Sequence, residues 1–280
     1  MKRLLLALLS SLTLLAGCTT LDERQRQWIF QPSDRSWSRA EEAGQGMSDV
    51  WIDFHSRAAN KAVKLHGLWL PHDKQAGKAE APVLLYLHGA RWNVSGSSHR
   101  IRRMQELGFS VLAVDYRGFG KSTKDLPSEA LALEDARAAW DWLRQQHPDR
   151  AAYIFGHSLG GAIAIALAEQ VEDEAGTLVE GTFTSIPDVV SSFRWGWLPL
   201  SPLITQRFDS LGRVAQIGSP LLVVHGEQDQ LIQPALGRRL YEAASGRKAF
   251  VLVEGGSHHN TNAVGQSQYR SALAELFGLL

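Results

Sequence analysis

Six continuous apolar runs, each leading into glycine, restrict the folds open to this chain. They are PVLLYLHG (82–89), SVLAVDYRG (110–118), AAYIFGHS (151–158), TLVEGTF (177–183), PLLVVHG (220–226) and AFVLVEGG (249–256). A strand with one wet face alternates apolar and polar residues; these runs do not, so both faces are expected to be covered. Two more strand-like runs, VWIDFHS and AVKLHGLWLP, precede them and are joined by RAAN. Helix-length segments fill the gaps. SSHRIRRMQELGF sets Ile101, Met104 and Leu107 on one stripe and stops at Gly108, and SEALALEDARAAWDWLRQQHP opens at Ser128 and stops at Pro148. LGGAIAIALAEQ, QPALGRRLYEAA and SQYRSALAELFGLL continue the alternation. The pattern predicts an α/β fold, with a mainly parallel eight-stranded sheet and helices on both faces, as one domain over 47–280. Residues 185–210, with three prolines, two tryptophans and no clean period, read as a short lid between the sixth and seventh strands.

The N-terminus has a different character. Lys2 and Arg3 precede an apolar stretch that ends in Leu15-Ala16-Gly17-Cys18. At about 14 residues this stretch is short for a bilayer span, and its charged flank and small residues suit an export signal over 1–17. LAGC resembles the bacterial lipobox, which implies lipidation of Cys18, the sole cysteine of the chain. A cleaved soluble-secretion signal with an incidental cysteine is the alternative. One cysteine allows no disulfide within the chain. Thr19 stands where the rule for inner-membrane retention expects aspartate, so the resemblance implies the outer membrane of a cell envelope. Residues 18–46 then read as a polar, irregular tether with Trp28, Ile29 and Phe30 as anchoring points. Lys+Arg and Asp+Glu balance at 29 each, and no run of one sign suggests a nucleic-acid partner.

In open parallel sheets, chemistry collects at the carboxyl ends of strands. Those ends carry His88-Gly89-Ala90, Asp115-Tyr116-Arg117, Gly156-His157-Ser158, His225-Gly226 with Asp229, and Gly255-Gly256-Ser257-His258. Ser158 lies in G-x-S-x-G between a strand-like and a helical run. That context suits a tight turn that lifts the hydroxyl to a helix N-terminus. The motif alone is weak, because a capping serine in a glycine turn looks the same. A serine needs a base, and the base needs an orienting carboxylate. Asp229 and His258 follow successive strands in the order Ser, acid, His. Glu227 and Asp188 are rival acids, and His259 is a rival base. His157 reads as packing beside the turn, His88 as a structural strand-end residue, and Arg117 as a brace between loops. GFGKS (118–122) lacks the glycine that a phosphate loop needs at 115, no G-x-G-x-x-G follows the first strands, and no metal-ligand motif occurs.

LYLHGA, VDYRGFGKS, GHSLGG, HGEQDQLIQP and GGSHHN together resemble the successive motifs of the α/β-hydrolase superfamily. The likeness is to its compact serine-aminopeptidase-like and esterase-like members, from about residue 50 onward. It implies a Ser158–Asp229–His258 triad, an oxyanion hole made by the backbone N–H groups of Ala90 and Leu159, and no cofactor. Relatives commonly have HGNAGN or HGGG where this chain has HGARWNVSG, so Arg91 and Trp92 are placed to reshape the acyl pocket. Trp195 and Trp197 in the lid are candidates to line an acyl-chain cleft, or merely to seal the lid. The implied function is a carboxylesterase- or lipase-like serine hydrolase of small-molecule acyl esters or thioesters, tethered to a membrane. Alternatives are a peptidase or aminopeptidase on the same triad, and an inactive tethered binding protein.

Overall fold

The computed structural model describes residues 20–33, 44–72, 80–193, 198 and 201–279. Eight strands form one sheet: β1 (Ser48–Ser56), β2 (Lys61–Leu70), β3 (Val83–Leu87), β4 (Ser110–Val114), β5 (Ala152–His157), β6 (Gly176–Glu180), β7 (Leu221–Gly226) and β8 (Lys248–Val253). Their spatial order is β1-β2-β4-β3-β5-β6-β7-β8. The β1/β2 and β2/β4 pairs are antiparallel, and every later pair is parallel. This is the mainly parallel sheet that the apolar runs predict.

Those runs are continuous because β3 to β7 are buried at every position. Successive side chains still point to opposite faces. Leu85 and Leu87 of β3 therefore join one core, and Leu84 and Tyr86 join the other. Leu221 and Val223 of β7 are likewise separated from Leu222 and Val224. The edge strands β1 and β8 mix exposed and buried positions, as one-sided cover requires.

Helix α1 comprises the described residues 20–30. It is followed by α2 (Ser98–Glu106), α3 (Glu129–Gln146), α4 (Leu159–Ala168), α5 (Ile186–Ser191), α6 (Ser210–Val214), α7 (Pro234–Ala243), α8 (Thr261–Val264) and α9 (Gln266–Phe277). One sheet face is covered by α3, α4, α6 and α7, and the other by α2 and α9. The alanine-rich α4 is buried along its whole length, so it must be apolar all round. Ser128 caps α3 by accepting from the Leu131 N–H. Arg117 does brace the loops. Its guanidinium is fully buried and grips Asp135 through Nε (2.8 Å) and Nη2 (2.6 Å), with Glu134 at 2.7 Å and Ser56 at 2.9 Å.

The expected irregular tether over 18–46 needs correction where it is described. Residues 20–30 are helical, and Phe30 is fully buried between Phe119 and Phe208. Asp22, Gln25, Arg26 and Ile29 recur at helical spacing and turn one stripe toward the domain. Asp22 and Gln25 bond Thr205, Asp22 also bonds Gln206, and Arg26 donates to the carbonyl of Pro127 at 2.9 Å. The stripe escapes a hydropathy reading because most of its contacts are hydrogen bonds. Residues 18, 19 and 34–43 lie outside the described set, as do Trp195 and Trp197. The segment between β6 and β7 contains α5 and is closed at its neck by Ile186 N–H to Arg207 O (2.9 Å) and Leu211 N–H to Thr184 O (3.0 Å). Because Phe30 is a core residue, Phe30→Ala should cost about 3–5 kcal/mol in chemical denaturation, whereas a loose tether would tolerate it unchanged.

Candidate active site

The turn from β5 into α4 is crowded by construction. A Cβ on Gly156 would lie 2.1 Å from the Gly160 carbonyl oxygen, and one on Gly160 would lie 2.1 Å from that of Leu87. Only glycine fits such approaches. Between them Ser158 adopts φ 56°, ψ −121°, a conformation disfavoured for a residue with a Cβ. Its backbone is pinned on both sides: its N–H donates to Glu180 O (2.9 Å), and its carbonyl accepts from Thr182 Oγ1 (2.9 Å) and Gly161 N–H (2.9 Å). The hydroxyl is left partly accessible above the sheet.

Two loops converge on that hydroxyl. His258, in the loop between β8 and α8, places Nε2 3.0 Å from Ser158 Oγ and Nδ1 2.8 Å from Asp229 Oδ2. Asp229 follows β7, and its other oxygen accepts the N–H groups of Leu231 (3.0 Å) and Ile232 (2.8 Å). Burial acts to raise the Asp229 pKa. Hydrogen bonds from His225 and His258, the His258 charge and the Ile232 N–H outweigh it and hold the carboxyl well below its ordinary value. The rivals lie elsewhere. Glu227 sits 3.4 Å from the Gly255 N–H, Asp188 accepts from Thr184 and faces Arg239 at 3.5 Å, and the exposed His259 ring packs edge-on to His258.

The loop after β3 supplies the third side. Gly89 lies so close to the turn that an added Cβ would be 3.2 Å from Ser158 Cβ. The N–H groups of Ala90 and Leu159 donate to no other described residue, which leaves both free beside Ser158. Arg91 (φ 69°) and Trp92 (φ 62°) are consecutive left-handed residues, a conformation costing roughly 1–2 kcal/mol each. The turn is held from outside by Arg91 N–H to Phe30 O (2.8 Å) and the Pro32–Trp92 bridge. Both side chains are exposed. His88 bonds the Gly89 carbonyl at 2.7 Å, in keeping with a strand-end role.

Sequence reasoning missed the support beneath. Glu180, fully buried at the end of β6, accepts from Arg100 Nε (3.1 Å) and from the Tyr269 hydroxyl. Arg100 Nη2 also donates to the His259 carbonyl at 3.3 Å. His157 does more than pack, because its Nε2 donates to the His258 carbonyl at 3.0 Å. Burial, with the Arg100 and His258 charges, lowers the His157 pKa well below its usual value and keeps the ring neutral. The available signals were a glutamate ending an apolar strand and an arginine beside an apolar helical stripe. Neither reveals its partner, because 80 residues separate them.

Sheet order and site geometry together define an α/β-hydrolase architecture. Residues 78–209 match the family described as serine aminopeptidase, S33. An uncharacterized protein of Mycobacterium tuberculosis is 33% identical over 245 residues, 86% of this chain and 83% of that one. A lysophosphatidylserine lipase of Rattus norvegicus is 31% identical over 188 residues, covering 60% of this chain and 47% of the lipase. The Pyrococcus furiosus esterase Pf2001 shares the fold, with a TM-score of 0.67 and 20% identity over 89% of this chain and 97% of its own. The chain belongs to the serine aminopeptidase S33-like family of α/β-hydrolases.

Glu180→Ala strands the buried Arg100 charge, so it should destabilise the protein by about 3–5 kcal/mol in urea unfolding. The Asp229 carboxyl also sets an acid limit. Its folded pKa lies below its unfolded value of about 4, so its ionisation stabilises the fold above that pH, and the contribution fades as pH falls through and below it. Wild type should therefore lose more stability toward acid than Asp229→Asn, measured as Tm against pH.

Proposed function

We propose that the protein is a serine hydrolase that cleaves carboxylic esters or thioesters of small acyl substrates through an acyl-enzyme. The observation that carries this reading is the unbroken relay from Asp229 to His258 to Ser158, at 2.8 and 3.0 Å. Ser158 Oγ attacks the acyl carbon while His258 Nε2 takes its proton. Asp229 holds the Nδ1–H tautomer and stabilises the imidazolium as it forms. Charge developing on the carbonyl oxygen is met by the Ala90 and Leu159 N–H groups, each worth roughly 3 kcal/mol in such sites. Protonated His258 then gives its proton to the leaving alcohol or thiol. Water, activated by the same imidazole, attacks the acyl-enzyme and releases acid and free Ser158.

The mouth favours neutral or anionic esters over free amines. Arg91 and His259 are exposed there, and burial together with the His258, Arg100 and Arg91 charges keeps the His259 pKa low. An aminopeptidase needs an acidic acceptor for the substrate's charged amino end, and the Arg91 cation with a neutral His259 beside it does not supply one. Export to a cell envelope and lipidation at Cys18 complete the proposal; they rest on the leader and LAGC.

Fluorophosphonate labelling should mark wild type and be abolished by Ser158→Ala; an unlabelled wild type would mean an inactive scaffold. Asp229→Asn should lower kcat by about 10⁴-fold, as the equivalent change does in serine proteases. p-Nitrophenyl esters should be turned over at least a hundredfold faster than aminoacyl amides. The reverse ratio would make the protein a peptidase.

A further inference from the structure

Helix α1 does two jobs that a tether would not need. Its inward stripe clamps the lid limb at Thr205 and Gln206, and its last carbonyl, from Phe30, holds the Arg91 N–H next to the oxyanion donor Ala90. Its outward face is polar, with Glu23, Arg24 and Gln27 exposed, but one flank carries two large apolar side chains. Leu21 and Trp28, two helical turns apart and so on one line, are 42% and 59% exposed. Leu203, whose carbonyl accepts from Gln25 at 2.7 Å, and Trp92, bridged at Pro32 just past the helix, extend the exposed apolar surface on either side. Phe193 and Leu198 of the lid are exposed as well. Six exposed large apolar side chains thus fall on α1, the oxyanion loop and the lid. A soluble surface does not ordinarily gather tryptophan and leucine around a catalytic mouth.

We propose that this surface is a docking face for a phospholipid bilayer, and that α1 seats the catalytic mouth against the lipid. The occupant follows from position. Cys18 lies two residues before the first described residue of α1, and two residues span at most about 7 Å. An acyl chain attached there leaves Leu21 and Trp28 beside the headgroups, where the amphipathic indole is at home. Among the described residues no helix is long and apolar enough to cross a membrane. The substrate class narrows accordingly to amphiphilic acyl esters that reach Ser158 from the bilayer. The inference rests on the hydrolase and anchor readings above and replaces a long leash by a fixed orientation.

The test uses the full chain with vesicles of phosphatidylethanolamine and phosphatidylglycerol. Turnover is compared on a long-chain monoacyl ester held in the vesicle and on water-soluble p-nitrophenyl butyrate. Leu21→Gln combined with Trp28→Gln should lower the vesicle rate about tenfold and leave the butyrate rate within twofold. Trp51→Gln with Leu252→Gln, on edge strands β1 and β8, should leave the ratio of the two rates unchanged. An unchanged ratio in the α1 variant overturns the proposal, whether the face is idle or receives a protein. An equal fall on both esters also overturns it, since α1 would then only prop the oxyanion loop. The anchor is read separately from the mass of the N-terminal peptide. Because vesicles are added, the ratio decides the face even with Cys18 unmodified, and fluorophosphonate labelling reports the hydrolase reading independently.

Discussion

Backbone crowding at the β5–α4 turn is the constraint on which the site depends. Gly156 and Gly160 let the strand, the helix and the end of β3 approach more closely than any side chain permits. The approach forces Ser158 into a left-handed conformation and brings Gly89 against its Cβ. One steric event therefore raises the hydroxyl, starts a helix beneath it and positions the loop with the free Ala90 N–H. Hydrogen bonds from the neighbouring strand hold the strained residue in place, so the strain persists in the folded protein only because β6 lies beside it.

His258 is positioned by a different principle. It comes from a loop near the C-terminus and is carried by a buried polar network. Glu180 gathers Arg100 and Tyr269, Arg100 reaches the His259 carbonyl, and neutral His157 reaches the His258 carbonyl. A buried carboxylate is tolerable only when paired, and here the pairing groups also clamp the loop that carries His258. Fold stability and the geometry of the site thus share side chains. Helix α1 has the same economy, with Phe30 serving both the core and the turn at Arg91.

The central strands were legible because burial on both faces leaves an unbroken apolar run. Ser158, Asp229 and His258 were singled out by motif and order. Each lies just past a strand, where a parallel sheet displays its functional groups. Residues 20–30 were misread as irregular because their docking stripe is Asp22, Gln25 and Arg26, groups that look solvated until their partners are known. Glu180 was passed over for the same reason. Paired strand ends and apolar runs are local patterns, whereas an ion pair is a relation between distant positions.

Chain chemistry alone settled the alternation of strands and helices, the glycines that permit a sharp turn, and the serine, acid and histidine types at successive strand ends, since these depend on local spacing and sterics. Folding in three dimensions decided which carboxylate meets His258, which buried charges neutralise one another, and that the N-terminal segment packs on the loop after β3. Those outcomes depend on loops that meet only after the sheet has assembled, and no short-range pattern encodes the distance between them.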